Sequence, residues 1–284
     1  MSWSWEEEVG DLGEGQDDPA ELALTLDGLQ LLRQIHYFRE IDSTSRWLLQ
    51  LVESATSSKA LDGILVIADY QTAGKGRFGR PWLAPRGKAL LFSLILRAHS
   101  PAPLADDYNL RLISLLAPVA VTLALRNITG VAASIKFPND IMVGPRKCAG
   151  ILVERSAKYP DLFILGIGIN VHQSKEELPP QTHVEPTSLF CETGMLLNRW
   201  VVLRGVLEEL EAWWSKKNLD EIVNKLNELC TTLGRRVLVK TATGDVEGLA
   251  VGISPNGGLL VRADHGAVTE ILSGDVKELQ SGYE

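Results

Sequence analysis

The chain has 284 residues, 45% of them hydrophobic and 23% charged, with a formal net charge of -8; this length suits one large and one small globular domain with a sizeable core. The acidic balance excludes a general nucleic-acid binder, whose affinity comes from basic patches that neutralise phosphates. Cys148, Cys191 and Cys230 are too far apart for a metal site and odd in number for a disulfide framework. With no apolar run near the roughly 18 residues of a membrane span and an acidic rather than basic start, a cytoplasmic protein is expected.

Residues 1–20 hold Glu6, Glu7, Glu8, Asp11, Glu14, Asp17 and Asp18 among glycines, a mixture predicted to stay a disordered acidic tail. A helix-forming segment follows it. In "DSTSRWLLQLVES" (42–54) capping residues precede Trp47, Leu48, Leu51 and Val52 at helical spacing, so the Asp-Ser-Thr stretch should sit at a helix N-terminus. Two strand-like runs, "GILVIADY" and "ALLFSLILRA", flank the loop "AGKGRFGR" (73–80), and an apolar helix is predicted over 109–127. "ASIKFPND" and "KCAGILVE" bracket a turn at Gly144 and Pro145, and "LFILGIGINV" follows. Such short turns indicate antiparallel pairing.

Residues 174–187 contain Pro179, Pro180 and Pro186 and read as an irregular loop. Helices are predicted over 198–216 and 219–231, the first with Trp200, Leu203, Leu207, Leu210 and Trp214 on one face. After Leu233 and Gly234 the texture changes to short β runs, which predicts a barrel or sandwich of about 50 residues. The resulting division is a tail over 1–20, a large domain over 21–232 and a small β domain over 233–284.

Gly74, Gly76 and Gly79 match G-x-G-x-x-G, but a dinucleotide cradle needs a helix opening there and an acidic residue about 20 positions on. Pro81, Pro85 and Gly87 follow instead, and the next acidic residue is Asp106. A P-loop fails too, since Arg80 and Pro81 stand where Lys and Ser or Thr are required. What remains is a glycine loop carrying Lys75, Arg77 and Arg80.

Four pieces, "DSTS", "YQTAGKGRFGRPW", "KFPNDIMVGPRKCAGILVE" and "GIGINV", resemble in order and content the biotin protein ligases, from about residue 40 to the end. The resemblance implies an α+β fold: a mixed, largely antiparallel sheet with helices, related to class II aminoacyl-tRNA synthetases, plus a C-terminal SH3-like β-barrel. It implies joining of biotin and ATP, with Mg2+, into biotinyl-5'-AMP, then transfer to one lysine of a biotin carboxyl carrier domain. Neither nucleic acid nor membrane is an expected partner, and a homodimer is left open.

The chemistry accounts for the residue types. A carboxylate must approach an α-phosphate, and two unit charges at 4 Å repel by about 4 kcal/mol at an effective dielectric of 20. Positioned cations remove that barrier. The fork of Arg77 can hold phosphate and carboxylate oxygens, and Lys147 supplies a point charge from another strand.

Carried over position by position, the resemblance implies that Ser43, Thr44, Ser45 and Gln71 bind the biotin ureido ring, with loop contacts from Lys75 and Gly76. Arg77 and Arg80 would bind the nucleotide phosphates, and Lys147 the carboxyl and phosphate oxygens. Trp82 would cover the adenine side, with Asn170 as a polar contact. Gly150, Gly166 and Gly168 would leave space for the valeryl chain. Asp140 could orient ribose or magnesium, or accept a proton from the incoming lysine. Ser45, Lys75 and Phe137 depart from the family's usual Asn, Arg and Trp.

Bland readings compete at several positions. Ser43 and Thr44 could be helix caps, Asp140 a turn residue, and Cys148 a core side chain rather than a nucleophile. His36, His99, His172, His183 and His265 show no ligand spacing. Two other functions are kept: a lipoyl or octanoyl ligase of the same catalytic fold, and a biotin-responsive regulator. About 41 residues precede "DSTS", too few beside an acidic tail for a helix-turn-helix unit. Everything depends on Arg77 and Lys147 converging.

Overall fold

Runs of apolar residues bounded by turns assemble the larger sheet of this computed structural model, which describes residues 2–5, 17–98, 108–180 and 184–279. Its strands are β1 (Ser2–Trp5), β2 (Gln34–Phe38), β3 (Ile64–Ala68), β4 (Ala89–Arg97), β5 (Ala133–Lys136), β6 (Asp140–Val143), β7 (Arg146–Arg155) and β8 (Leu162–Asn170). They lie in the order β1-β2-β3-β4-β8-β7-β6-β5. Every pairing from β3 onward is antiparallel. β1 with β2 and β2 with β3 are parallel. Parallel neighbours need a crossover, and α2 (Thr44–Ser54) supplies it between β2 and β3.

The remaining helices are α1 (Pro19–Thr25), α3 (Tyr108–Thr129), α4 (Leu189–Thr193), α5 (Arg199–Lys216) and α6 (Leu219–Leu229). α3 packs on α5, α6 and the sheet. Trp200, Leu203, Leu207, Leu210 and Trp214 of α5 are all buried, as expected. α3 is, among the described residues, the one helix long and apolar enough to cross a membrane by length and composition, with a mean hydropathy of 1.7. That corrects the expectation that no stretch qualifies; here α3 is the central helix of the core.

The expected disordered tail also needs correction. Ser2–Trp5 extends the sheet beside β2, and α1 starts at Pro19, its N-terminus capped by the Asp18 carboxylate, which accepts from Ala20 N at 2.8 Å. Asp17 meets Arg199 Nε at 2.7 Å, and Trp200 Nε1 donates to Asp18 O at 2.8 Å. The acidic average hid a β-favouring start and two aspartates with specific partners. Glu6, Glu7, Glu8, Asp11 and Glu14 lie outside the described residues, as do His99 and His183.

The last strands, β9 (Arg236–Thr241), β10 (Gly244–Ile253), β11 (Leu259–Arg262), β12 (Val268–Ile271) and β13 (Asp275–Glu278), form a separate antiparallel sheet in the order β12-β11-β10-β9-β13. This is the small SH3-like β unit expected. Its buried Val237, Val239, Ala250 and Leu259 are continuous with the main core.

Strand alternation makes the two faces of the large sheet different. Phe163, Leu165, Ile167 and Ile169 of β8 join the core with α3 and α5. On the opposite face Leu162 and Ile164 pack with Leu48 and Val52 of α2. The next two residues on that face are Gly166 and Gly168, so the sheet surface drops into a shallow floor beside the N-terminus of α2. A cavity of about 810 Å³ opens there.

Candidate active site

The cavity begins at the N-terminus of α2. Ser43 is the N-cap, accepting from Arg46 N at 3.4 Å. Gln71 Oε1 accepts from Thr44 N at 2.8 Å and Thr44 Oγ1 at 3.2 Å. Ser93 Oγ, a single hydroxyl in the apolar strand β4, lies 2.7 Å from Thr44 Oγ1 and 2.8 Å from Ser45 Oγ. Capping and a polar cluster therefore coexist at one end of the cavity. Ser93 was not among the expected site residues; a hydroxyl inside "ALLFSLIL" is the signal that could have found it.

The glycine loop folds back on itself. Gly76 N donates to Arg80 O at 2.8 Å, and Trp82 N donates to Gly74 O at 2.9 Å. A Cβ at Gly74 would lie 2.8 Å from the Trp82 carbonyl oxygen, so only glycine permits this closure. Arg77–Gly79 forms a short 3-10 turn, not the α-helix a dinucleotide cradle requires. At its tip Phe78 has φ 57° and is exposed, with the guanidinium carbons of Arg77 and Arg80 at 5.0 and 5.6 Å from its ring centroid.

Arg77 points back into the cavity. Its Nη1 donates to Asn139 Oδ1 and its Nη2 to Gly274 O, both at 3.2 Å. Burial lowers its pKa, opposed by the nearby charges of Asp140 and Asp275. Asn139 is fixed in turn, donating from Nδ2 to Ile151 O at 2.8 Å. It belongs to "PND" and could have been read from that motif. Gly274 and Asp275, whose carboxylate pairs with Arg80, could not: they lie 195 or more residues away, in the small β unit.

Lys147 reaches the same cavity from β7. Its Nζ is 2.6 Å from Asp140 Oδ1 and 5.5 Å from the Trp82 ring centroid. Lys147 and Gly150, three residues apart, would face opposite sides of a regular strand, yet both line the cavity. A bulge resolves this: Ile141 pairs with Ala149 and Met142 with Lys147, so Cys148 is the extra residue on β7. Cys148 and Ala149 are both fully buried in the core. Burial pushes the Cys148 thiol up, so it is a packing side chain.

Ser43, Thr44, Ser45, Gln71, Lys75, Gly76, Arg77, Arg80, Trp82, Asp140, Lys147, Gly150, Gly166 and Gly168 are thus brought to one cavity. The glycines are seated differently from the expectation. Trp82 lies over two of them, with Cζ3 2.9 Å from a Cβ at Gly150 and Cε2 2.6 Å from one at Gly168; Ser45 Oγ would be 2.6 Å from a Cβ at Gly166. Trp82 Nε1 is buried without a hydrogen-bond partner. Asn170 is not brought to the cavity lining: it is 4% exposed, donating to Thr187 O at 2.9 Å and accepting from Gln173 Nε2 at 2.8 Å. Phe137 is buried at the cavity's edge, where packing is its visible role. His36 packs at a tilt against Trp47, and His172 bonds Leu197 O. Cys148, Cys191 and Cys230 are free thiols.

The cavity therefore brings Arg77 and Lys147 together with a polar helix N-terminus and the glycine loop over a floor of glycines, cations of the kind that bind phosphate and carboxylate oxygens. Comparison with known proteins shows the class to which the chain belongs. Residues 37–170 match the Biotin/lipoate A/B protein ligase family, and residues 232–277 match the Biotin protein ligase C terminal domain. The Biotin--[acetyl-CoA-carboxylase] ligase of Mycobacterium tuberculosis is 32% identical over 87% of this chain and 90% of its own. The Bifunctional ligase/repressor BirA of Bacillus subtilis is 31% identical over 78% of this chain and 68% of its own. The solved Biotin protein ligase from Aquifex aeolicus in complex with biotin and ATP has a TM-score of 0.73 and 33% identity, covering 88% of this chain and 100% of that one. The chain belongs to the biotin protein ligase family.

Proposed function

We propose that this chain activates biotin with ATP and transfers it to a lysine of a biotin carboxyl carrier domain of a carboxylase. A biotin carboxylate oxygen attacks the α-phosphorus, the bond from that phosphorus to the bridging oxygen breaks, and pyrophosphate leaves. The acceptor lysine's neutral amine then attacks the acyl carbon of biotinyl-5'-AMP, losing its proton as AMP departs. The observation that carries this reading is the convergence of Arg77 and Lys147 on one cavity with the Ser43, Thr44 and Gln71 cluster at its other end.

In this reading Ser43, Thr44, Ser45 and Gln71 receive the ureido ring. Lys75, Gly76 and Arg77 close the loop over the ligand, and Arg77, Arg80 and Lys147 face phosphate and carboxylate oxygens. Trp82 covers the adenine side, and Gly150, Gly166 and Gly168 leave space for the valeryl chain once the indole, which rests on Gly150 and Gly168, moves aside. Asp140 holds the Lys147 ammonium. Magnesium would arrive with the triphosphate, since this ion usually keeps several waters and is held by one or two carboxylates plus substrate phosphates. The division at 232/233 into catalytic and C-terminal units, and a cytoplasmic location, belong to the same reading.

The test is incubation with ATP, magnesium, labelled biotin and an apo carboxyl-carrier domain, expecting label on one carrier lysine. Lipoate-dependent rather than biotin-dependent pyrophosphate exchange would replace this reading with the lipoyl alternative. Specific retardation of promoter fragments would revive the regulator.

A further inference from the structure

Outside the cavity, a short strap holds the backbone of Lys147 at both of its hydrogen-bonding groups. Lys147 N donates to Glu185 O at 2.7 Å, and Thr187 N donates to Lys147 O at 2.8 Å. Pro186 between them forms an isolated parallel bridge with Lys147. The strap, residues 185–187, has no helix or strand of its own, so its position must be imposed from outside.

Two anchors impose it, and both end on Thr187, which is 1% exposed. Its carbonyl accepts from Asn170 Nδ2 at 2.9 Å, with Asn170 held by Gln173. Its hydroxyl donates to Glu192 Oε1. Glu192 in α4 also takes Arg146 Nη2, at 2.9 Å to Oε1 and 3.0 Å to Oε2. The contacts form a closed ring: Lys147 is covalently joined to Arg146, Arg146 is paired with Glu192, Glu192 is bonded to Thr187, and Thr187 is bonded back to Lys147.

A bulge disrupts the ladder locally and can re-aim a side chain. β8 pairs with β7 only from Ala149 onward, and the strap takes the edge of β7 beyond it, at Lys147. We infer that Glu192 and Thr187 are positioning residues for the reaction, fixing the peptide of Lys147 so that its ammonium is aimed into the cavity. This rests on the reading of Lys147 as an active-site cation. Neither residue lines the cavity, so their effect must pass through Lys147.

The experiment is steady-state biotin-dependent ATP–pyrophosphate exchange with Thr187→Val, Thr187→Ser, Glu192→Gln and Lys147→Ala, plus Thr187→Val combined with Lys147→Ala. Thr187→Val and Glu192→Gln should each lower kcat about ten- to a hundredfold, the cost of a misplaced reacting group, with KM for biotin and ATP changed less than about twofold. Thr187→Ser, which keeps the hydroxyl, should restore kcat. In the Lys147→Ala background Thr187→Val should cost nothing more, because residues acting as a unit are non-additive. Equal loss in both backgrounds, or a raised KM at unchanged kcat, overturns the inference. If Lys147→Ala is inactive while Thr187→Val matches the parent, the inference alone falls; if Lys147→Ala is fully active, the reading of the site falls and takes it along.

Discussion

Lys147 Nζ lies 2.6 Å from Asp140 Oδ1, although the backbone register sets Asp140 opposite Gly150 and Lys147 opposite Met142. The two side chains meet diagonally because the bulge at Cys148 keeps both on the cavity face. The ammonium is held beside a carboxylate before any phosphate arrives. Arg77→Ala and Lys147→Ala are each expected to lose adenylation by about two orders of magnitude, the scale of removing one preorganised electrostatic group. Asp140→Asn should lose about tenfold, as expected for a charge-assisted hydrogen bond. Pyrophosphate exchange measures all three, and near-parental rates for both cation variants would mean the site is misplaced.

The floor glycines should differ in tolerance. A Cβ at Gly168 would press on three atoms of the rigid Trp82 indole, at 2.6 to 2.9 Å, whereas one at Gly166 meets mainly Ser45 Oγ, which can rotate away. Gly168→Ala is expected to destabilise by about 1–3 kcal/mol, as overpacking does, and to shift the Trp82 component of the fluorescence; Gly166→Ala should leave that component alone. Difference spectra against Trp82→Phe isolate it. An unmoved Trp82 signal in Gly168→Ala would refute the contact.

The Arg80 and Asp275 pair joins the glycine loop to β13 across the two sheets. Both side chains are partly exposed, so the pair should add less than about 1 kcal/mol to stability. Its expected effect is on ligand binding: Asp275→Ala raises the KM for ATP and leaves the melting temperature unchanged. Combining Arg80→Asp with Asp275→Arg should recover loop protection in hydrogen exchange, if not full activity. In the parent, amides over 74–80 should exchange more slowly once biotin and ATP are added, as closing loops do; no change would argue against a covering role.

Arg199 is 1% exposed and holds Asp69 Oδ1 at 2.9 Å, Asp17 Oδ2 at 2.7 Å and Ala89 O at 3.2 Å. Tyr37 donates to the second Asp69 oxygen, and burial with the Asp69 charge pushes its hydroxyl pKa well up. Arg199→Ala leaves an uncompensated buried carboxylate and should cost about 3–5 kcal/mol. Denaturant titration checks this, and a loss under about 1 kcal/mol would show that solvent reaches Asp69.

By itself the sequence determined most of the large sheet's strands and the helices α2, α3, α5 and α6, because period-2 and period-3.6 burial is a local property of the chain; β1, β2 and α4 were not read from it. It determined the cap at Ser43, the helices over Arg199–Lys216 and Leu219–Leu229, and the reading of the glycine loop as something other than a dinucleotide cradle. The motif order also named the residues that meet in the cavity. Only the tertiary structure decided that Asn170 serves Thr187, that Trp82 lies on Gly150 and Gly168, and that Gly274 and Asp275 reach Arg77 and Arg80. It alone found partners for Asp17 and Asp18 in a stretch whose composition reads as disordered. The physical reason is range: periodicity and capping act over a few residues, whereas a hydrogen-bond partner 17 or 195 positions away is chosen by packing the whole chain. The bulge at Cys148 belongs to that second class, since one extra residue becomes visible only when two strands are paired.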